Sequence, residues 1–201
     1  MITIVDYGMG NLGSVCNMFK RIGVAATVTS DSAEVAKASK ILLPGVGAFD
    51  SAMQRINSSG LRDILDHKAL RERIPVLGIC LGMQLLTRGS EEGKLPGLGW
   101  LEATARRFPS KPGLKVPHMG WNLVVPTRPC ALTNDLPAGS RFYFVHSYCV
   151  HADDPADAIL RAHYGIDFDA ALSHANIHGA QFHPEKSHRF GMKLLANFAS
   201  M

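Results

Sequence analysis

The chain has 201 residues, of which 46% are hydrophobic and 19% charged, and its 21 Lys and Arg against 17 Asp and Glu give a formal net charge of +4. That composition suits one large globular domain covering 1–201, with a substantial core, and excludes a disordered, solvated chain. The basic residues (Lys20, Arg21, Arg106, Arg107, Lys111, Lys115) are scattered, which speaks against a nucleic-acid partner, and no apolar run approaches the roughly 18 residues of a membrane span.

Ile2–Val5 is a short apolar run that ends at Asp6-Tyr7-Gly8 and reads as a buried strand, too short and without a preceding basic residue to be a signal peptide. Leu12, Val15, Phe19 and Ile22 recur at helical spacing, and Gly23 ends that helix. Val24–Thr29 is rich in strand formers, and Asp31-Ser32-Ala33-Glu34 has the form of a capping box opening a short helix. Lys40–Leu43 is the next strand, closed by Pro44-Gly45-Val46-Gly47. Helical spacing follows through Met53 and Ile56 and again through Leu61, Ile64 and Leu65; then come a buried strand, Pro75–Ile79, and a helix, Leu81–Thr87. Alternating strands and helices imply a mostly parallel central sheet covered by helices on both faces. After Gly89 the texture changes to short β-like runs: Val116–Val125, Phe142–Val150, Ala158–His163, Ala170–Ser173 and Gly179–Phe182. These predict later strands, some antiparallel, before a last helix over Arg189–Ala199. The fold class is α/β, with antiparallel strands in the C-terminal half.

Gly78-Ile79-Cys80-Leu81-Gly82 lies between a buried strand and a helix, which is the G-x-nucleophile-x-G elbow with cysteine in the nucleophile's place. The turn strains the nucleophile's backbone, and glycine two residues to either side removes the side chains that would collide. It also places the sulfur at a helix N-terminus, where free N–H groups favour thiolate. Cys16, Cys130 and Cys149 lack this setting, form no CxxC pair and read as structural thiols of a cytoplasmic, reduced chain.

Gln181-Phe182-His183-Pro184-Glu185 follows another β-like run. Residues i and i+2 of an extended chain point the same way, so His183 and Glu185 can face one site, with Glu185 holding the imidazole that takes the thiol proton. The glycines of Pro44-Gly45-Val46-Gly47, after a strand, allow backbone N–H groups near a substrate carbonyl, and the Leu81 N–H is a second oxyanion donor. His174 and His178 stand four apart, but no cysteine or carboxylate pair supports them; they read as surface or turn residues, and no metal or other cofactor is expected.

In this order, PGVG, GICLGMQLL and QFHPEKS resemble the class I (triad) glutamine amidotransferases. DYGMGNLGSV, VPHMGWN and FYFVHSY narrow the likeness to the glutaminase subunits that serve a cyclase of histidine biosynthesis, over Asp6 to Phe198. Ala180, His188 and the stretch 101–105 fit less closely. The resemblance implies a triad of Cys80, His183 and Glu185, with oxyanion donors at Gly47 and Leu81. It implies that Gln84, Ser147 and Tyr148 hold the amino-acid end of L-glutamine. It places His118, Met119, Gly120, Trp121, Asn122, Tyr143 and Lys186 at the docking face and ammonia passage to a (β/α)8-barrel cyclase subunit. That subunit would make imidazole glycerol phosphate and aminoimidazole carboxamide ribotide. Such a barrel alone needs about 250 residues, so it must be a separate chain. Two kinds of alternative remain at this level: a different enzyme on the same scaffold (ammonia supply for surface-sugar amidation or pyridoxal phosphate synthesis, a cysteine peptidase or a γ-glutamyl hydrolase), and a non-catalytic regulatory subunit.

Overall fold

The computed structural model describes residues 1–201. The first half alternates as predicted: β1 (Ile2–Val5), α1 (Leu12–Arg21), β2 (Ala26–Thr29), α2 (Ser32–Ala36), β3 (Ile41–Gly45), α3 (Phe49–Ser58), α4 (Leu61–Asp66), β4 (Val76–Cys80) and α5 (Leu81–Leu85). Asn11 caps α1 by accepting from Ser14 N, and Gly23 follows the helix at φ 73°, the left-handed value that suits glycine. Only half of the expected capping box forms at α2. Asp31 accepts from Ala33 N at 2.8 Å, but Glu34 turns to Lys37 at 2.7 Å instead of reaching back.

The second half contains β5 (Ala103–Arg107), β6 (His118–Leu123), β7 (Val125–Pro126), β8 (Arg141–His146), β9 (Tyr148–Ala152), β10 (Ala158–His163), β11 (Asp167–His174), β12 (Ile177–Ala180) and α6 (His188–Ser200). An eight-stranded sheet runs β2-β1-β3-β4-β12-β11-β10-β7. Its first five strands are parallel, and β11, β10 and β7 add in antiparallel pairings. Two antiparallel pairs, β5 with β9 and β6 with β8, lie outside it.

The central strands read as continuous apolar runs because both faces are covered. Alternation sends Ile41, Leu43 and Val76 into the core beneath α3, α4 and α5, while Leu42 and Leu77 join Phe19 of α1 and Leu195 and Phe198 of α6 on the other face. Strand β3 continues through Pro44 and Gly45, two residues beyond the point where the sequence closes it. Beyond Leu42 its ladder is with β4 alone, so the missing Pro44 N–H interrupts no second ladder. The run 142–150, one segment by pattern, is two strands in different sheets. β8 pairs with β6 and β9 with β5, and the break falls at Ser147, whose carbonyl accepts from Phe108 N. Strand β5 escapes sequence reading because only Ala103 and Ala105 mark its buried face.

Register decides where the site forms. Gly45 lies opposite Cys80, and Ile79 opposite Ala180, so the carboxyl ends of β3, β4 and β12 meet at one edge of the sheet. Open α/β sheets collect ligands at that edge.

Candidate active site

Cys80 ends β4 and begins α5 with φ 55° and ψ −111°, a region that non-glycine residues rarely occupy. The neighbouring glycines make this turn possible. A Cβ on Gly78 would lie 2.6 Å from the Gly82 carbonyl oxygen, and a Cβ on Gly82 would overlap the carbonyl oxygen of Leu43. The Cys80 thiol lies 3.9 Å from the Val145 carbonyl oxygen, and Gln181 Nε2 lies 4.0 Å from Sγ.

His183 arrives from the end of β12. Its N–H donates to Tyr143 O at 2.9 Å, and Ser187 Oγ clamps the junction by donating to His183 O and accepting from Tyr143 N. His183 Nδ1 is 2.7 Å from Glu185 Oε1, with both side chains only 3% exposed. The pairing does not come from an extended backbone: Pro184–Lys186 is a 3₁₀ turn, which folds Glu185 back onto the ring. His183 Nε2 and Glu185 Oε2 are buried with no protein hydrogen-bond partner. Burial alone would disfavour the imidazolium, but the Cys80 thiol and the Glu185 carboxylate outweigh it and push the His183 pKa up to about 10. Nδ1–H held by a carboxylate leaves Nε2 for a proton exchanged with the sulfur or a substrate.

A cleft of 320 Å³ opens above these groups. Gly47, Cys80, Leu81, Gln84, Ser147, Tyr148 and His183 line it, and Glu185 stands behind His183. Gly47 has φ 105°, and the Leu81 N–H is at the first helical position, where no intrahelical acceptor exists. Gln84 is buried; its Nε2 donates to Tyr148 O at 3.1 Å and Gln181 Oε1 at 3.3 Å, leaving its own carbonyl oxygen for the cleft.

Four features of the site were not read from the sequence. Glu92, another lining residue, presents a carboxylate at the cleft while accepting from Phe49 N at 3.0 Å; it lies in a patternless loop, so nothing marked it. Tyr7 donates to Pro44 O at 2.6 Å, and burial, aided by the charge of Cys80, holds its phenol far above the usual range. Its position just past β1, at the same sheet edge, is the signal that could have found it. Gln181 and His146 are the other two, Gln181 two residues before His183 in QFHPEKS and His146 next to Ser147 in FYFVHSY.

Of the docking residues, Met119 and Trp121 are 62% and 47% exposed on the outward face of β6. Tyr143 is half-buried, edge-on to Trp121 at 6.2 Å and beneath Lys186 Nζ at 5.5 Å; Gly120 and Asn122 are half-buried. His118 stands behind that face and not on it. Strand alternation turns it inward, 3% exposed, where it cannot touch a partner's surface. Among the two spaced histidines, His174 is exposed against Asp157, but His178 is buried on Ser173 Oγ, because β12 is covered on both faces.

A strand-to-helix elbow with a cysteine at its apex, lining one cleft at the carboxyl edge of a parallel sheet with a carboxylate-bound imidazole, is the arrangement found in the class of α/β enzymes that employ a cysteine nucleophile. A sequence profile of the family described as Glutamine amidotransferase class-I matches residues 3–201. The chain belongs to the class-I glutamine amidotransferase family and is a glutamine-hydrolysing enzyme subunit. It is 51% identical over 198 residues to "Imidazole glycerol phosphate synthase subunit HisH 2" of Methanococcus maripaludis, covering 98% of both chains. It is 48% identical over 204 residues to "Imidazole glycerol phosphate synthase subunit HisH" of Bdellovibrio bacteriovorus, covering 100% of both. Among solved structures, a glutamine amidotransferase superposes with TM-score 0.78 at 16% identity, covering 100% of both chains. PurLQS from Thermotoga maritima superposes with TM-score 0.74 at 18% identity, covering 99% of this chain and 97% of that one. At those identities the structures support the fold.

Proposed function

We propose that this chain is the glutaminase subunit of an imidazole glycerol phosphate synthase, acting in the cytoplasm as one self-contained domain. The observation that carries the mechanism is the buried, unpartnered Nε2 of His183, beside Cys80 and tied through Nδ1 to Glu185. L-Glutamine enters the cleft with its α-ammonium group toward Glu92 and its amino-acid end held by Gln84, Ser147 and Tyr148. The Cys80 thiolate attacks the side-chain amide carbon, and the N–H groups of the Val46-Gly47 segment and Leu81 receive the developing oxyanion. His183 passes its proton to the amide nitrogen, the C–N bond breaks, and ammonia leaves a glutamyl thioester on Cys80. His183 then takes a proton from water as the water adds to the thioester; glutamate departs, and sulfur regains the charge it began with. Glu185 holds the tautomer and offsets the imidazolium charge throughout.

The exposed side chains of Met119 and Trp121, flanked by Tyr143 and Lys186, form the face that docks the cyclase. Ammonia crosses there into a (β/α)8 barrel, away from bulk water that would protonate it. The relatives' names, as synthase subunits, support this reading. The test is co-purification with a barrel cyclase followed by glutamate release, with and without the cyclase ligand. Rapid hydrolysis that ignores both partner and ligand would point to a free-standing hydrolase; failure to bind the cyclase would point to a different synthase.

A further inference from the structure

A single chain of hydrogen bonds runs from the docking face to the glutamine cleft. Asn122, on β6 beside exposed Trp121, has its amide orientation fixed: Leu123 N donates to its Oδ1 at 2.8 Å, and its Nδ2 donates to His163 O at 2.9 Å. The same Nδ2 lies 3.3 Å from His118 Nε2; His118 Nδ1 lies 3.0 Å from His146 Nε2; and His146 Nδ1 lies 2.7 Å from the Tyr148 carbonyl oxygen. That carbonyl also accepts from Gln84 Nε2 at 3.1 Å.

The end group dictates the polarity of the whole series. A carbonyl only accepts, so His146 carries its hydrogen on Nδ1 and offers a lone pair at Nε2. His118 must then donate from Nδ1, which makes its Nε2 the acceptor for Asn122. Reversing any one link would set two hydrogens or two lone pairs face to face. Both rings are neutral: burial lowers the His118 pKa to about 4, and burial, reinforced by the charge of His183, lowers that of His146 to about 3 against the opposing bond to Tyr148. Stacking fixes His118 as well, with Phe144 at 4.8 Å and Tyr164 at 4.0 Å and both interplanar angles near 20° (23° and 21°).

We propose that His118 and His146 are positioning residues, forming a relay that sets the Tyr148 carbonyl, and through it Gln84, according to how the partner seats on β6. This rests on the reading that Gln84 holds glutamine. It gives His118 a role in docking that its burial denies it by contact.

Two variants separate relay from packing. His118→Phe keeps an aromatic ring between Phe144 and Tyr164 but has no polar atom; His118→Asn gives up the stack but places a donor near the ring's Nδ1. In the complex with the cyclase, His118→Phe should raise KM for glutamine about 3- to 10-fold with a smaller change in kcat, the scale of the one neutral hydrogen bond of the two it loses that leads on to the cleft, the bond to His146. His118→Asn should stay within about twofold, the residual expected for a kept hydrogen bond. The opposite ranking would make His118 a packing residue and overturn the relay. Imidazole ¹⁵N spectra of the chain supply an arm independent of activity. Both His118 and His146 should show neutral rings protonated at Nδ1, and adding the cyclase should move their signals while leaving His178, outside the chain of bonds, in place. A different tautomer, or histidine signals that ignore docking, would refute the proposal. A wild-type complex that binds but releases no glutamate would instead refute the glutaminase reading, leaving the spectra to decide the relay.

Discussion

Replacing Gly78 by Ala tests the elbow with one methyl group. Gly78 does not have a positive φ, so the backbone itself tolerates alanine. The obstacle is the first turn of α5. The new Cβ would sit 2.6 Å from Gly82 O, 2.7 Å from Gly82 C and 2.8 Å from Met83 N. Ordinary contact starts near 3.4 Å, so β4 and α5 must part by roughly 0.8 Å, and neither can flex as a side-chain end would. Overpacking of this kind costs about 1–3 kcal/mol. For a chain of this size each kcal/mol lowers Tm by about 2–4 °C, giving a fall of about 2–12 °C. The catalytic loss should be larger than the stability loss suggests, because the displacement falls between the strand that carries Cys80 and the helix that supplies the Leu81 N–H. A misplacement near 1 Å costs on the order of 100-fold in rate. Glutamate release in the presence of the cyclase measures the rate, and thermal denaturation the stability. Gly13→Ala is the control: α1 leaves nothing within 4 Å of its Cβ, so it should hold or slightly raise Tm. If Gly78→Ala kept both wild-type Tm and wild-type kcat/KM, the steric account of the elbow would be wrong.

Cys80→Ala should abolish glutamine-dependent synthesis by the complex while synthesis from added ammonium persists; glutamine still serving as donor would remove Cys80 as nucleophile. Glu185→Gln should be less damaging than loss of Cys80, by about 10- to 100-fold, because the orienting member of a triad acts through the base. The same variant has a pH signature. Since the folded pKa of His183 lies above its ordinary value, at about 10, its stabilising share is complete below about pH 6.5 and disappears as pH rises toward 10. The Tm gap between wild type and Glu185→Gln should therefore be widest near pH 6 and close toward pH 10, and a gap that widened with pH would contradict the assigned partners. Glu92→Gln should raise KM for glutamine about tenfold through one lost charge-assisted bond, with kcat nearly unchanged; an unmoved KM would clear Glu92 of substrate binding.

What was legible in the sequence was local. Apolar runs and helical spacing located β1, β3, β4, α1 and α6, because burial on both faces of a strand or along one stripe of a helix writes itself into neighbouring residues. The elbow was legible for the same reason: Gly78 answers a collision with Gly82 within five residues of chain, although Gly82 itself answers to Leu43 of the neighbouring strand, and His183 and Glu185 stand two apart. Features made by distant partners were not legible. The division of 142–150 between two sheets depends on β5 and β6, Glu92 reaches the cleft only through a loop held by Phe49 N, and Tyr7 meets Pro44 only at the sheet edge that the register of β3, β4 and β12 creates. The inward turn of His118, and with it the bonds to His146 and Tyr148, was decided by which face of β6 packs against the aromatic cluster around Phe144 and Phe168. A period-two pattern says that alternate residues share a face; only the packed structure says which face meets the core.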